Sequence, residues 1–182
     1  MNLKLSDTSS EAFTNITFDP NVLVAVELAP ESDRPLLFLL VEPDNQTVLE
    51  FMFEFGSGFL REFILNGLPR RRVKMSSVDA EGPSVPTKGR RPAFSLEAWP
   101  SDLVREDWER RFVRVKDEIE LVIGPASASI RFPARKSPTS WVVNARVRFG
   151  IEDGGQLARI DLFNLKADEV ALLKEAISHK PQ

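Results

Sequence analysis

From residue 47 to residue 55 the chain alternates, with Leu49, Phe51, Phe53 and Phe55 on one side and Val48, Glu50, Met52 and Glu54 on the other. A period of two belongs to a half-buried β-strand, because successive side chains of a strand point to opposite faces. One such strand cannot stand alone, so the segment commits the chain to a sheet. Residues 16–28 and 36–41 read as further strands on their β-branched and apolar content, and Pro43, Asp44 and Asn45 supply a turn. Gly56, Ser57 and Gly58 break the alternating strand, and residues 59–65 are expected as a short helix ended by Asn66, Gly67 and Pro69.

Further on, residues 76–92 are rich in Ser, Pro and Gly and poor in apolar side chains, which marks a long surface loop. Residues 112–116, 118–123 and 126–132 read as strands, the last two separated by Gly124 and Pro125. Residues 141–149 alternate as one strand and turn through Glu152, Asp153, Gly154 and Gly155 into residues 157–163, a hairpin. Only the end changes period: Val170, Leu173 and Ile177 recur at helical spacing, with Asp168 and Glu169 in the first turn and Lys174, His179 and Lys180 towards the last. Strand and helix never alternate regularly. The expected class is therefore mainly β: antiparallel strands curled into a barrel, with one C-terminal amphipathic helix. The expected division is an N-terminal β-rich module over residues 1–68, too small to be more than marginal alone, packed on a barrel over residues 69–182.

The inventory for chemistry is thin. The 182 residues include no Cys, no Tyr and one His. Disulfides, thiolate nucleophiles and His/Cys metal sites are excluded, and no acidic loop has the spacing of a calcium site. His179 reads as a favourable charge at a helix end. Glu50, Glu54, Glu118 and Glu120 read as outward strand faces, so no carboxylate pair is nominated and carboxylate-based hydrolysis stays open only as a remote third reading. Gly56-Ser57-Gly58 has neither the third glycine nor the Lys-Ser/Thr of a phosphate loop and reads as a turn. No enzyme, cofactor or metal is expected. The longest apolar run, residues 36–41, falls far short of the roughly 18 needed to span a bilayer, and the start has no basic cluster followed by an apolar stretch. A soluble, cytoplasmic chain is expected.

Charge is uneven along the chain. Residues 1–60 hold 2 basic and 10 acidic side chains, and residues 61–116 hold 13 and 8. Two basic runs stand out: Arg70, Arg71, Arg72 and Lys74, and then Arg110, Arg111 and Arg114. Guanidinium groups bind phosphate bidentately and stack on flat bases, so their convergence would suit a nucleotide with two phosphates. Nucleic acid is disfavoured by a sequence pI near 5.4 and by the acidic first third. That acidic third suits a basic protein partner instead. Trp99, Trp108 and Trp141 are expected in the core.

The stretch "RRFVRV" and the ending "NARVRFGIEDGGQLARIDLFNLKADEVALLKEAI" resemble PilZ domains, bacterial β-barrels that serve as receptors for cyclic di-GMP. The resemblance covers roughly residues 69–182. It implies a barrel entered by an arginine-rich strand and closed by the helix at residues 168–177. The family reads its ligand with RxxxR followed by [D/N]xSxxG. Arg110 and Arg114 have the first spacing, and Arg70 and Lys74 approximate it, while residues 93–98 keep only Ser95 of the second motif. The resemblance thus implies a regulatory protein that senses a cyclic dinucleotide through Arg70, Arg71, Arg72, Lys74, Ser95, Arg110, Arg111 and Arg114, or a degenerate member acting by protein contacts. A non-enzymatic interaction module with no nucleotide ligand is the alternative.

Overall fold

The computed structural model describes residues 1–10, 13–19, 22–30, 34–44, 46–83, 89–103 and 109–178. Fourteen strands and one helix lie in this order: β1 (Leu5–Ser9), β2 (Asn15–Thr17), β3 (Val24–Glu27), β4 (Leu36–Asp44), β5 (Thr47–Glu54), β6 (Leu60–Asn66), β7 (Val73–Met75), β8 (Arg91–Phe94), β9 (Phe112–Val115), β10 (Glu120–Ile123), β11 (Ser127–Arg131), β12 (Ser140–Asn144), β13 (Val147–Ile151), β14 (Leu157–Phe163) and α1 (Ala167–Ser178). The class is mainly β with a C-terminal helix, as the periodicities require. Among the described residues no helix is long and apolar enough to cross a membrane.

The strands form two six-stranded sheets, β2-β3-β6-β5-β4-β9 and β12-β13-β14-β11-β10-β7, with β1 and β8 as a separate pair. Both large sheets are open, with two edges each, so "barrel" describes the arrangement only loosely. Residues 1–68 and 69–182 exchange strands. β9 joins the first sheet parallel to β4, and β1 pairs with β8. Phe51, Phe53 and Phe63 of the first sheet and Phe149 of the second are fully buried, and Phe63 meets Phe149 edge-on at 6.2 Å between centroids. One apolar core runs through both halves and takes in Val170, Leu173, Ala176 and Ile177 of α1.

Three expected elements are corrected. Residues 16–28 do not form one strand: β2 and β3 are separate and pair antiparallel, Ile16 opposite Val26. Residues 59–65 are no helix: β6 runs from Leu60 to Asn66 between β3 and β5. Phe63 and Leu65 point into the core while Glu62 and Ile64 point out, a period of two, and one or two turns of helix could not compete with two flanking ladders. Residues 141–149 are two strands. Ala145, at φ 44°, turns the chain between β12 and β13. The turn exchanges parity: Trp141 and Val143 point out whereas Val147 and Phe149 point in, so one apparent stripe is drawn from two faces.

Glu54, expected on an outward face, is 5% exposed and pairs with Arg91 at 2.8 Å. Trp99 is buried as expected, its indole N–H donating to the Arg111 carbonyl at 2.7 Å, but Trp141 is only half-buried on the outer face of the second sheet. Asn45, Trp108, His179 and Lys180 lie outside the described residues.

The turn after β5 shows why glycine stands there. Gly58 has φ 70°, and a Cβ on it would come 2.3 Å from the Phe94 carbonyl oxygen, which its own backbone holds in place through Phe94 N–H to Gly58 O at 2.9 Å. Gly58→Ala is therefore expected to cost about 2 kcal/mol or more, measured by urea unfolding; a change under about 0.5 kcal/mol would contradict this packing.

Candidate functional site

The two basic runs each form a single 3-10 turn immediately before an edge strand: Arg70–Arg72 before β7 and Glu109–Arg111 before β9. Their charges are matched at short range. Arg71 and Arg72 reach Asp44 at 3.4 and 3.2 Å, and Arg72 also holds Glu118. Lys74 pairs with Glu120 at 2.8 Å, Arg110 with Asp102 at 2.6 Å and Arg114 with Glu42 at 3.0 Å. Arg70 donates to the Ser178 carbonyl at the end of α1. Arg111 is buried. Ser95 binds locally, its hydroxyl accepting from Glu97 N–H at 3.4 Å and its backbone N–H donating to Lys4 O. Since Asp44 and Glu42 both stand on β4, Arg71, Arg72 and Arg114 do gather at one end of that strand. They gather there on carboxylates of the chain itself. Burial alone would raise the pKa of Asp44, but hydrogen bonds from Gln46 and Thr47 and the charge of Arg72 outweigh it and hold the carboxyl below its ordinary value. Charged side chains on short edge strands also keep them from pairing with other chains.

A different basic cluster lies on the outer face of the second sheet. Strand register places Arg148 beside Asp161, Asp161 beside Ser129, and Arg159 between Arg131 and Gly150. Asp161 is wholly buried; it accepts from Arg148 Nε at 2.9 Å, from Arg159 Nη2 at 2.8 Å and from Ser129 Oγ at 2.6 Å. Trp141 lies opposite Gly150, where a side chain would meet its ring at 3.0 Å, and both guanidinium groups stack on that ring, Arg159 at 4.7 Å and Arg148 at 5.3 Å from its centroid.

Residues 76–83 cross this face as a strap. Asp79 fixes one end: its carboxylate accepts from Ala126 N–H at 2.7 Å and Ser127 Oγ at 2.9 Å, while Ala80 N–H donates to Ser127 Oγ at 3.0 Å. Arg148 donates to the carbonyls of Ala80 and Pro83, and Arg159 to that of Glu81. Gly82 lies directly on Arg148, and a Cβ there would come 2.4 Å from Cζ. The strap and the sheet enclose a groove of about 210 Å³, lined among others by Ser76, Asp79, Ser127, Ser129, Arg131 and Arg159.

Arg131 is the exception on this face. It is half-buried, its side chain makes no hydrogen bond or ion pair with the described residues, and its Nε is cut off from solvent without a partner. A buried guanidinium N–H left unsatisfied is costly, and an oxyanion in the groove would supply its acceptor. The arrangement can bind and orient an anion. Its two sheet hydroxyls, Ser127 and Ser129, donate to Asp79 and Asp161, carboxylates that backbone and arginine donors also hold.

Sequence reasoning passed over Arg131, Arg148 and Arg159 because none stands in a run of basic residues. A signal was present. The 157–163 hairpin, extended by its register, puts Arg148 opposite Asp161, a charged pair across two mostly apolar strands. No family model matches the chain, and no curated protein matches it.

Proposed function

We propose that the protein is a non-enzymatic regulatory module of the cytoplasm, similar to PilZ-type receptors, in which an anionic phosphodiester ligand competes with the chain's own strap for the arginine face of the second sheet. Cyclic di-GMP is the first ligand to try, on the resemblance of the second half. The observation that carries the reading is Arg131: an unpaired, half-buried guanidinium beside Arg159 in a groove with three serines, on a face where every other arginine is already held. The strap brings Asp79 and Glu81 and three carbonyls to that face, so the chain now supplies the acceptors that a phosphate would supply. A ligand that takes Arg131 and Arg159 must shift residues 80–83, and the shift is the output: it changes the surface shown to a protein partner. The non-enzymatic part rests on the missing Cys and Tyr and on a face whose carboxylates, Asp79 and Asp161, are taken up by backbone, serine and arginine donors.

The test is calorimetric titration with cyclic di-GMP at about 50 and 200 mM salt. The chain should bind in the micromolar range and more weakly at the higher salt. Arg131→Ala should weaken binding at least about tenfold, as loss of a charge-assisted hydrogen bond does, while alanine triples at Arg70/Arg71/Arg72 and Arg110/Arg111/Arg114 should stay within about threefold. No heat from the parent chain at either salt, or loss in a triple with Arg131→Ala unaffected, would overturn the reading.

A further inference from the structure

The outer face of the first sheet carries a second feature, independent of the arginine face. Outward positions of β4, β5 and β6 present Leu36, Phe38, Leu40, Val48, Met52 and Ile64, all half-buried, with Phe38 stacked on Phe112 at 4.5 Å. Within this apolar surround stand Glu27, Glu62 and Glu50. Glu27 is directly opposite Glu62, and Glu62 is diagonal to Glu50, because its partner on β5 is Met52. Like charges directly opposite across a ladder destabilise a sheet.

The carboxylates at the ends of the face are matched, Glu42 by Arg114 and Glu54 by Arg34 and Arg91. The three in the middle are not. The Glu27 carboxylate accepts only a long bond from Asn15 Nδ2 at 3.3 Å, and the carboxylates of Glu50 and Glu62 make no hydrogen bond or ion pair with the described residues. Burial pushes the Glu62 carboxyl above its ordinary value, and Glu27 and Glu50 push it further, against the attraction of Arg61; burial alone does the same to Glu50.

We infer that this face docks a basic amphipathic helix of another protein. Directly opposed strand residues stand about 5 Å apart and diagonal ones about 7–8 Å, so the three carboxylates span about 12 Å. A helix brings residues i, i+4 and i+7 to one face over about 10.5 Å, so lysines at those positions meet the row while leucines beside them cover β4 and β5. Charge complementarity selects the occupant: an anionic lipid surface or a phosphate backbone is repelled by the same three groups. Docking gives Glu27, Glu50 and Glu62 the cations the fold withholds. The inference does not rest on the proposed ligand site.

The probe is a labelled 15-residue leucine–lysine peptide with lysines at i, i+4 and i+7, followed by fluorescence anisotropy on the intact protein. Binding in the micromolar range is expected. Glu50→Gln/Glu62→Gln should weaken it at least tenfold with a melting temperature no lower than the parent's, since an opposed pair of charges is relieved. Glu97→Gln/Asp153→Asn, which removes the same charge from exposed sites elsewhere, should stay within twofold. A scrambled peptide of equal charge should bind at least tenfold more weakly, and Leu40→Gln tests the apolar half of the face in the same way. Equal binding to the scrambled peptide or to Glu50→Gln/Glu62→Gln overturns the inference. So does concentration-dependent dimerisation of the parent chain that Glu50→Gln/Glu62→Gln abolishes, since the occupant would then be a second copy.

Discussion

Asp161→Ala is expected to lower the melting temperature by about 6–20 °C. Asp161 is wholly buried and is the common acceptor for Arg148, Arg159 and Ser129. Removing one member of a buried ion pair leaves its partners desolvated without compensation, at about 3–5 kcal/mol. In a chain of this length each kcal/mol moves the transition by about 2–4 °C. The damage should reach the strap. Arg148 and Arg159 hold the carbonyls of residues 80, 81 and 83, and without Asp161 to aim them those contacts loosen, so the amide hydrogens of residues 79–82 should exchange faster. A loss under about 1 kcal/mol would mean that the cluster is more wetted than its geometry implies.

Glu54→Ala should cost about as much, roughly 3–5 kcal/mol, for the same reason at a different place. Its carboxylate, 5% exposed, lies between Arg91 at 2.8 Å and Arg34 at 2.9 Å and ties β5 to the start of β8. Arg91 in turn rests on the Phe59 ring at 4.9 Å, beside the Gly58 turn. Burial alone would raise the Glu54 pKa, but the hydrogen bond and charge of Arg91, with help from Arg34 and Ser57, outweigh it and hold the carboxyl below its ordinary value. A carboxyl whose pKa is depressed by folding adds stability above its unfolded pKa and loses it as the pH falls through the folded one. The penalty of Glu54→Ala should therefore be full at pH 7 and shrink below about pH 4, which urea midpoints of both chains at pH 7, 5 and 3 would show. A penalty independent of pH would contradict an ionised Glu54.

The class of fold was legible because periodicity reports which face is wet. The alternation at residues 47–55 and the helical spacing of Val170, Leu173 and Ile177 were enough for a β-protein with one terminal helix. Periodicity failed where a strand is short or changes parity. Residues 59–65 carry Arg61 and Glu62 inside an apolar run, which imitates one turn of amphipathic helix, and the turn at Ala145 joins two stripes from opposite faces. Strand exchange between the halves was not legible, because no local residue declares that β9 belongs beside β4. The site was less legible still. Runs of arginine attract notice by their density, yet here density goes with edge strands and nearby carboxylates. Arg131, Arg148 and Arg159 act through register, and register becomes visible only when the hairpins are set side by side.

The central claim, that the outer face of the second sheet is a ligand face closed by the chain's own strap, is tested most directly at Trp141, whose ring lies beneath Arg148 and Arg159. Indole N–H resonances of 15N-labelled protein should be followed during titration with cyclic di-GMP, with Trp141→Phe to assign the signal. The account predicts that the Trp141 resonance shifts while that of Trp99, bonded to the Arg111 carbonyl in the core, stays in place. A Trp141 resonance unmoved at saturating ligand, or a response confined to Trp99, would contradict it.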